Sequence, residues 1–250
     1  MGTAAATFSP DKFEAVLFDL DGVLTATAKV HAKCWKQAFD EFLKTRAEKN
    51  KEDFRPFDIK KDYEEYVDGK PRDDGVQSFL KSRDIELPHG DPGDSPGKET
   101  VCGLGNRKTK LFEKALKEEG VEVFAGSLAW LRQLRQKGVK TAVVSSSKHC
   151  QAIIEAAGIA GLFDARVDGK ISDELNLKGK PAPDIFLKAA EMLHVPPEKA
   201  VVVEDATAGV AAGHKGGFGL VIGVDRKGDA EELRQHGAGL VVRDLKELLL

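Results

Sequence analysis

Residues 14–24 read Glu14-Ala15-Val16-Leu17-Phe18-Asp19-Leu20-Asp21-Gly22-Val23-Leu24. An apolar run ends in two acids one residue apart, and a glycine then breaks it. The apolar part predicts a buried strand. Positions i and i+2 of a strand share a face, so Asp19 and Asp21 leave its end together. Neighbouring carboxylates oppose each other's ionisation. A hard cation such as Mg²⁺, held by carboxylate oxygens, removes that cost. It also leaves one aspartate to attack or to move protons. The same stretch equally describes a strand end with two solvated acids in a turn. Partners further along the chain have to decide.

From about residue 121 similar apolar, β-branched runs return, at Thr141–Val144, Ala200–Val203, Leu220–Ile222 and Leu240–Val242. Helical patterns separate them, at 127–136, 149–157, 184–193, 206–215 and 230–235. Continuous apolar strands alternating with helices predict a parallel sheet covered on both faces. The strand at 15–18 should join it, giving an α/β, Rossmann-like core. Residues 28–110 break this rhythm. Val30, Cys34, Ala38 and Phe42 fall at helical spacing, with Trp35 and Phe39 beside them. More helix is expected around 62–67 and 75–82. The Pro/Gly-rich stretch 87–97 predicts a loop, as does Gly103-Leu104-Gly105. The expected organisation is a loose tail at 1–12, a core at 13–28 and 110–250, and an inserted helical cap at 29–109. Hinges are expected near 25–29 and 108–125.

The 250 residues carry a net charge of -3, with 41% apolar and 32% charged residues. The apolar share is enough for a core. The charges are mixed in sign, which argues against nucleic acid as a partner. No apolar run approaches the length needed to span a membrane. Cys34, Cys102 and Cys150 are far apart and odd in number. They show neither a disulfide framework nor metal-ligand spacing, and a cytoplasmic location is expected.

Three further polar clusters follow predicted strands, at the edge where open α/β sheets bind ligands. Ser145-Ser146-Ser147-Lys148 opens a helix and suits a phosphate, although an ordinary N-cap needs only one serine. Lys180 precedes a proline-primed helix at Pro183. It reads either as a surface lysine or as a cation reaching in to a phosphorylated carboxylate. Glu204 and Asp205 end a strand as Asp19 does. Asp205 alone would serve as a helix cap, but with Asp19 and Asp21 the four acids form a candidate Mg²⁺ site.

The order Asp19-x-Asp21, Ser145, Lys180, Glu204-Asp205 resembles the haloacid dehalogenase superfamily over residues 14–250. The resemblance implies that Asp19 is a nucleophile forming an aspartyl phosphate and Asp21 a general acid/base. It implies that Ser145 and Lys180 bind the transferring phosphoryl group, and that the last acids bind Mg²⁺. Within the superfamily the chain is similar to the β-phosphoglucomutase branch. That similarity rests on Asp19 to His31 with Trp35, Gly69–Arg72, Asn106–Lys108, Ser145–Lys148 and Lys180–Phe186. It implies that Arg72, with Ser147 and Lys148, holds the non-transferring phosphate. Thr27 and His31 would lie at the hinge, His31 coupling cap closure to Asp21. Lys108, Trp35 and Ser146 would complete a site for a sugar phosphate. The implied activity is interconversion of β-D-glucose 1-phosphate and glucose 6-phosphate through the 1,6-bisphosphate, by a monomer. A Mg²⁺-dependent sugar-phosphate phosphatase on the same core is the alternative. Each cap residue also has a plainer reading: Arg72 as a solvated turn residue, His31 as a core or surface histidine, Lys108 as part of a charged helix face. The chain departs from the branch at Ala26 and His149, where Asp and Asn are usual, and in its longer cap loop at 88–97.

Overall fold

The computed structural model describes residues 9 and 11–249. Residues 1–8 and 10 of the expected tail lie outside the described residues. Contacts divide the chain into two compact units, 1–26 with 121–250, and 27–120. The first holds a six-stranded, all-parallel sheet in the order β3-β2-β1-β4-β5-β6. The strands are β1 Ala15–Phe18, β2 Lys140–Val144, β3 Ala165–Val167, β4 Ala200–Glu204, β5 Leu220–Val224 and β6 Leu240–Val242. Five of them grow from the apolar runs of the sequence. β3 is additional. It has three residues with Arg166 at its centre, too short and too polar to stand out as a run.

Alternation along β1 assigns its neighbours. Leu17 packs in one core layer with Ile185, Phe186 and Ala189 of the helix Asp184–Met192. Phe18 points to the other face and meets Trp130 of the helix Ala125–Gln136 edge-on at 5.5 Å. Both faces are therefore covered, as strands without polar alternation require. Register then aligns the strand ends. Phe18 lies opposite Val143 on one side and Val203 on the other. The next residue of each central strand therefore emerges at the same edge.

The second unit is helical. Its principal helices are Thr27–Asn50, Arg72–Ser82 and Val101–Glu119. Phe39, Phe57 and Phe79 form its centre, with ring centroids 4.3–5.0 Å apart. The first helix extends beyond the apolar spacing that ended at Phe42, because Leu43 and Ala47 continue the buried stripe through the charged stretch. Helix also replaces the loop expected at Gly103–Gly105. Thr100 caps it, its Oγ1 accepting from the Gly103 N–H at 2.9 Å. The glycines serve close packing there. A Cβ on Gly103 would lie 2.3 Å from the Lys98 carbonyl, and one on Gly105 would lie 2.7 Å from Arg72 Nε. The helix runs unbroken through 109 and 110, where the sequence placed the return to the core, and the units divide after Gly120.

The two connecting segments meet on the sheet-bearing unit. Phe124 N–H donates to Leu24 O and Ala26 N–H to Glu122 O, both at 2.9 Å. An antiparallel bridge joins Thr25 to Val123. Among the described residues, no helix is long and apolar enough to cross a membrane.

Candidate active site

The carboxyl edge of β1, β2 and β4 carries the acids and their cation. Asp19 follows β1, is only 6% exposed, and is anchored by its N–H to Val203 O at 2.9 Å. Lys180, 2% exposed, donates from Nζ to Asp19 Oδ1 and to Glu204 Oε1, each at 2.5 Å. The other oxygen of Glu204, Oε2, accepts from the N–H groups of Asp205 and Ala206 at 3.0 and 3.1 Å. Glu204 is thus held at both oxygens.

Two glycines make room for these groups. A Cβ on Gly209 would come within 1.7 Å of Glu204 Oε1. Gly22 has φ +91°, and a Cβ there would lie 2.0 Å from Asp205 Oδ2. The glycine after the aspartates therefore gives the turn its left-handed conformation and also leaves space for the Asp205 carboxylate.

Ligand oxygens of Asp19, Glu204 and Asp205 lie within 4.8 Å of one another, all buried. Their donor set is hard oxygen, the chemistry a Mg²⁺-type cation selects. Asp21 stands apart from that cluster. It is half-buried, and Ser145 Oγ donates to its Oδ2 at 3.4 Å.

The electrostatics follow from burial. Desolvation and then the neighbouring Glu204 push the Asp19 carboxyl well up, and Lys180 opposes them. Burial works against the charge on Lys180, but Asp19 and Glu204 outweigh it and raise the ammonium pKa above its ordinary value. The lysine therefore stays charged between two acids.

Ser145 is buried after β2, and its Oγ accepts from the Ser147 N–H at 3.1 Å. Ser147 Oγ in turn accepts from the His149 N–H at 3.2 Å. Lys148 is ion-paired with Asp173, and Ser146 is half-buried. The helix expected from 149 begins at Cys150, with His149 as its N-cap.

In the helical unit, Arg72 is bound before any ligand arrives. Its Nε and Nη2 donate to Asp73 at 2.7 and 3.3 Å, and its Nη1 donates to Asn106 Oδ1 at 2.7 Å. This is a fixed guanidinium and not a loose turn residue. Lys108 and His31 meet at 2.5 Å, Nζ to Nδ1, both buried. Lys108 lies 4.6 Å from the centre of the Phe112 ring, which the His31 ring approaches to 3.9 Å. Thr27 is buried at the start of its helix. Trp35, expected to help bind the sugar, is 4% exposed and stacks on Phe39 at 5.1 Å within the aromatic core. Its helical position put it on the apolar stripe, and the structure gives it a packing role.

One contact in the sheet-bearing unit had no sequence signal. Arg226, after β5, donates from Nε to the Gly22 carbonyl at 3.1 Å, across more than two hundred residues, and covers the Phe124 ring at 3.9 Å.

The haloacid dehalogenase-like hydrolase profile matches residues 13–217. A β-phosphoglucomutase of Mycobacterium bovis is 51% identical over 243 residues, 96% of this chain and 93% of the relative. A β-phosphoglucomutase of Bacillus subtilis is 33% identical, covering 95% of this chain and 92% of its own length. Among solved structures, a β-phosphoglucomutase from Clostridium difficile superposes with a TM-score of 0.75 at 26% identity, over 95% of this chain and 94% of that one.

Proposed function

The chain belongs to the haloacid dehalogenase-like hydrolase family, and from that premise we propose that it interconverts β-D-glucose 1-phosphate and glucose 6-phosphate through the 1,6-bisphosphate. The observation that carries the chemistry is the buried Asp19–Lys180–Glu204 array at the sheet edge, with Asp205 beside it. The extent of identity with the mycobacterial β-phosphoglucomutase favours the mutase over a phosphatase on the same core.

Lys180 anchors Asp19 through Oδ1, which holds the carboxylate in one orientation for attack on phosphorus. The Asp19–phosphorus bond forms as the bond from phosphorus to the sugar oxygen breaks. Asp21 supplies a proton to that leaving oxygen. In the return step Asp21 accepts a proton from the other sugar hydroxyl as its oxygen attacks phosphorus and the Asp19–phosphorus bond breaks, which frees the Asp19 carboxylate and restores the 1,6-bisphosphate. The Ser145 hydroxyl and the Lys180 ammonium offset charge on the phosphoryl oxygens. Asp19 and Asp205 would hold Mg²⁺, with Glu204 in the same cluster and a backbone carbonyl near Asp21 contributing from the turn, which leaves the Asp21 carboxyl free for proton transfer. When bound, the ion would neutralise part of the phosphoryl charge.

A mutase also has to hold the phosphate that is not being transferred. Arg72 is suited to that task, because a planar guanidinium binds phosphate in two-point fashion and Asp73 and Asn106 already orient it. Ser147 and Lys148 are proposed to share it.

The test uses purified protein, Mg²⁺, β-glucose 1-phosphate and a trace of bisphosphate, with glucose 6-phosphate and free phosphate followed together. Glucose 6-phosphate should form in large excess over phosphate and stop in chelator. Release of phosphate alone would make the enzyme a phosphatase.

A further inference from the structure

We infer that Asp73, His89 and Cys102 form a second divalent-metal site, of the zinc class, within the helical unit. Ligand atoms of the three residues lie within 4.8 Å of one another. They come from three places in the sequence: the first turn of the helix Arg72–Ser82, the loop before residue 97, and the first turn of the helix Val101–Glu119. Cys102 has no metal-ligand spacing to another cysteine or to a histidine, so only the fold reveals the set.

Its geometry is close to what a metal requires. Cys102 Sγ lies 3.9 Å from Asp73 Oδ2. Bonds of about 2.3 Å to sulfur and about 2.0 Å to oxygen at a tetrahedral angle put those atoms about 3.5 Å apart. A shift of a few tenths of an ångström closes the difference.

The backbone already holds two of the ligands together. Cys102 N–H donates to His89 O at 3.0 Å, and Val101 N–H donates to Pro88 O at 3.1 Å. Gln77 Nε2 lies 3.0 Å from His89 Nδ1 and donates to it; ligation through His89 Nε2 requires the Gln77 amide to turn so that its oxygen accepts from Nδ1–H, the support a metal-ligating histidine takes.

Charge favours a cation. A thiolate, a carboxylate and a neutral imidazole carry two negative charges, which a divalent ion cancels. The sulfur ligand selects against Mg²⁺ and distinguishes this site from the all-oxygen cluster of Asp19, Glu204 and Asp205. Asp73 can serve without releasing Arg72. Its Oδ1 keeps the 2.7 Å bond to Nε, and a metal on Oδ2 replaces only the 3.3 Å contact. The exposed His89 gives the ion a way in.

The probe is Co²⁺, titrated anaerobically into the full chain at saturating Mg²⁺. Sulfur-to-cobalt charge transfer absorbs in the near ultraviolet, which a carboxylate site does not. The wild type should develop this band to one equivalent. Cys102→Ala should lose it and Cys150→Ala should keep it. His89→Gln should weaken Co²⁺ binding about ten-fold or more. No band in the wild type, or a band that survives in Cys102→Ala, would overturn the inference. Circular dichroism shows whether Cys102→Ala folds. If it does not, His89→Gln, at an exposed position, decides alone: unchanged Co²⁺ affinity refutes the site.

Discussion

Replacing Lys180 by Met removes the cation that the structure places between Asp19 and Glu204 and keeps a side chain of similar length. Each 2.5 Å contact corresponds to a gross attraction of about 7 kcal/mol at an effective dielectric constant of about 20. Most of that is spent on desolvating three buried charges. The relevant figure is the cost of leaving buried carboxylates without their partner, about 3–5 kcal/mol. That is a large part of a typical stability of about 5–15 kcal/mol. The assay is urea unfolding followed by circular dichroism, in chelator so that no other cation substitutes. The pH dependence has a definite sign. Without the lysine, burial and the Glu204 charge hold the folded-state pKa of Asp19 still further above its unfolded value. The acid form is then favoured on folding. The variant's relative stability is present below the unfolded carboxylate pKa and lost as pH rises through the folded one. The deficit against wild type should therefore be largest near pH 7.5 and shrink toward pH 5. A second substitution, Glu204→Gln, should recover part of the loss by removing one uncompensated charge. A deficit below about 1 kcal/mol at pH 7.5, or one that grows as pH falls, would refute the reasoning.

Asp19→Asn should leave no measurable turnover of β-glucose 1-phosphate or of a small aryl phosphate while the melting curve stays cooperative, since an amide is a poor nucleophile; residual turnover near wild type would remove Asp19 from that role. Gly22→Ala forces a Cβ to within 2.0 Å of Asp205 Oδ2 at φ +91°. It should cost about 1–2 kcal/mol from the backbone alone and raise the Mg²⁺ concentration for half-maximal activity, and an unchanged Mg²⁺ titration would count against Asp205 as a ligand. Arg72→Ala should slow glucose 6-phosphate formation at least tens-fold, from a loss of about 2–5 kcal/mol, and spare slow aryl phosphate hydrolysis; equal loss of both would mean that Arg72 acts through the packing of its helix.

The sheet was legible because its strands are uninterrupted apolar runs, a pattern that strands buried on both faces impose. β3 escaped because three residues around an arginine carry too little of that pattern. The site acids were visible through their position after the runs, since a polar residue there has to emerge at the sheet edge. Lys180 was ambiguous in sequence, because lysines are usually solvated. Its burial becomes intelligible only when Asp19 and Glu204, far apart in the chain, are seen on either side of it. The glycines at 103 and 105 misled for a related reason. Their small size answers a neighbour, Lys98 in one case and Arg72 in the other, and not a need for flexibility. Trp35 shows the same limit, because an aromatic residue on a helical stripe looks alike whether it faces a ligand or a core.

The segments leaving and re-entering the sheet-bearing unit are pinned to each other at Ala26–Glu122 and Leu24–Phe124. To the folding chain, the ninety-odd residues between are therefore a closed excursion whose ends are already neighbours. The entropy of closing a loop grows only slowly with its length, by about 0.6 kcal/mol per doubling. The thermodynamic penalty of carrying a whole helical unit there differs little from that of a short turn. The junction is thus a splice point. A lineage can lengthen, trim or exchange the inserted unit while the strands of the sheet-bearing unit keep their register and their evolutionary history.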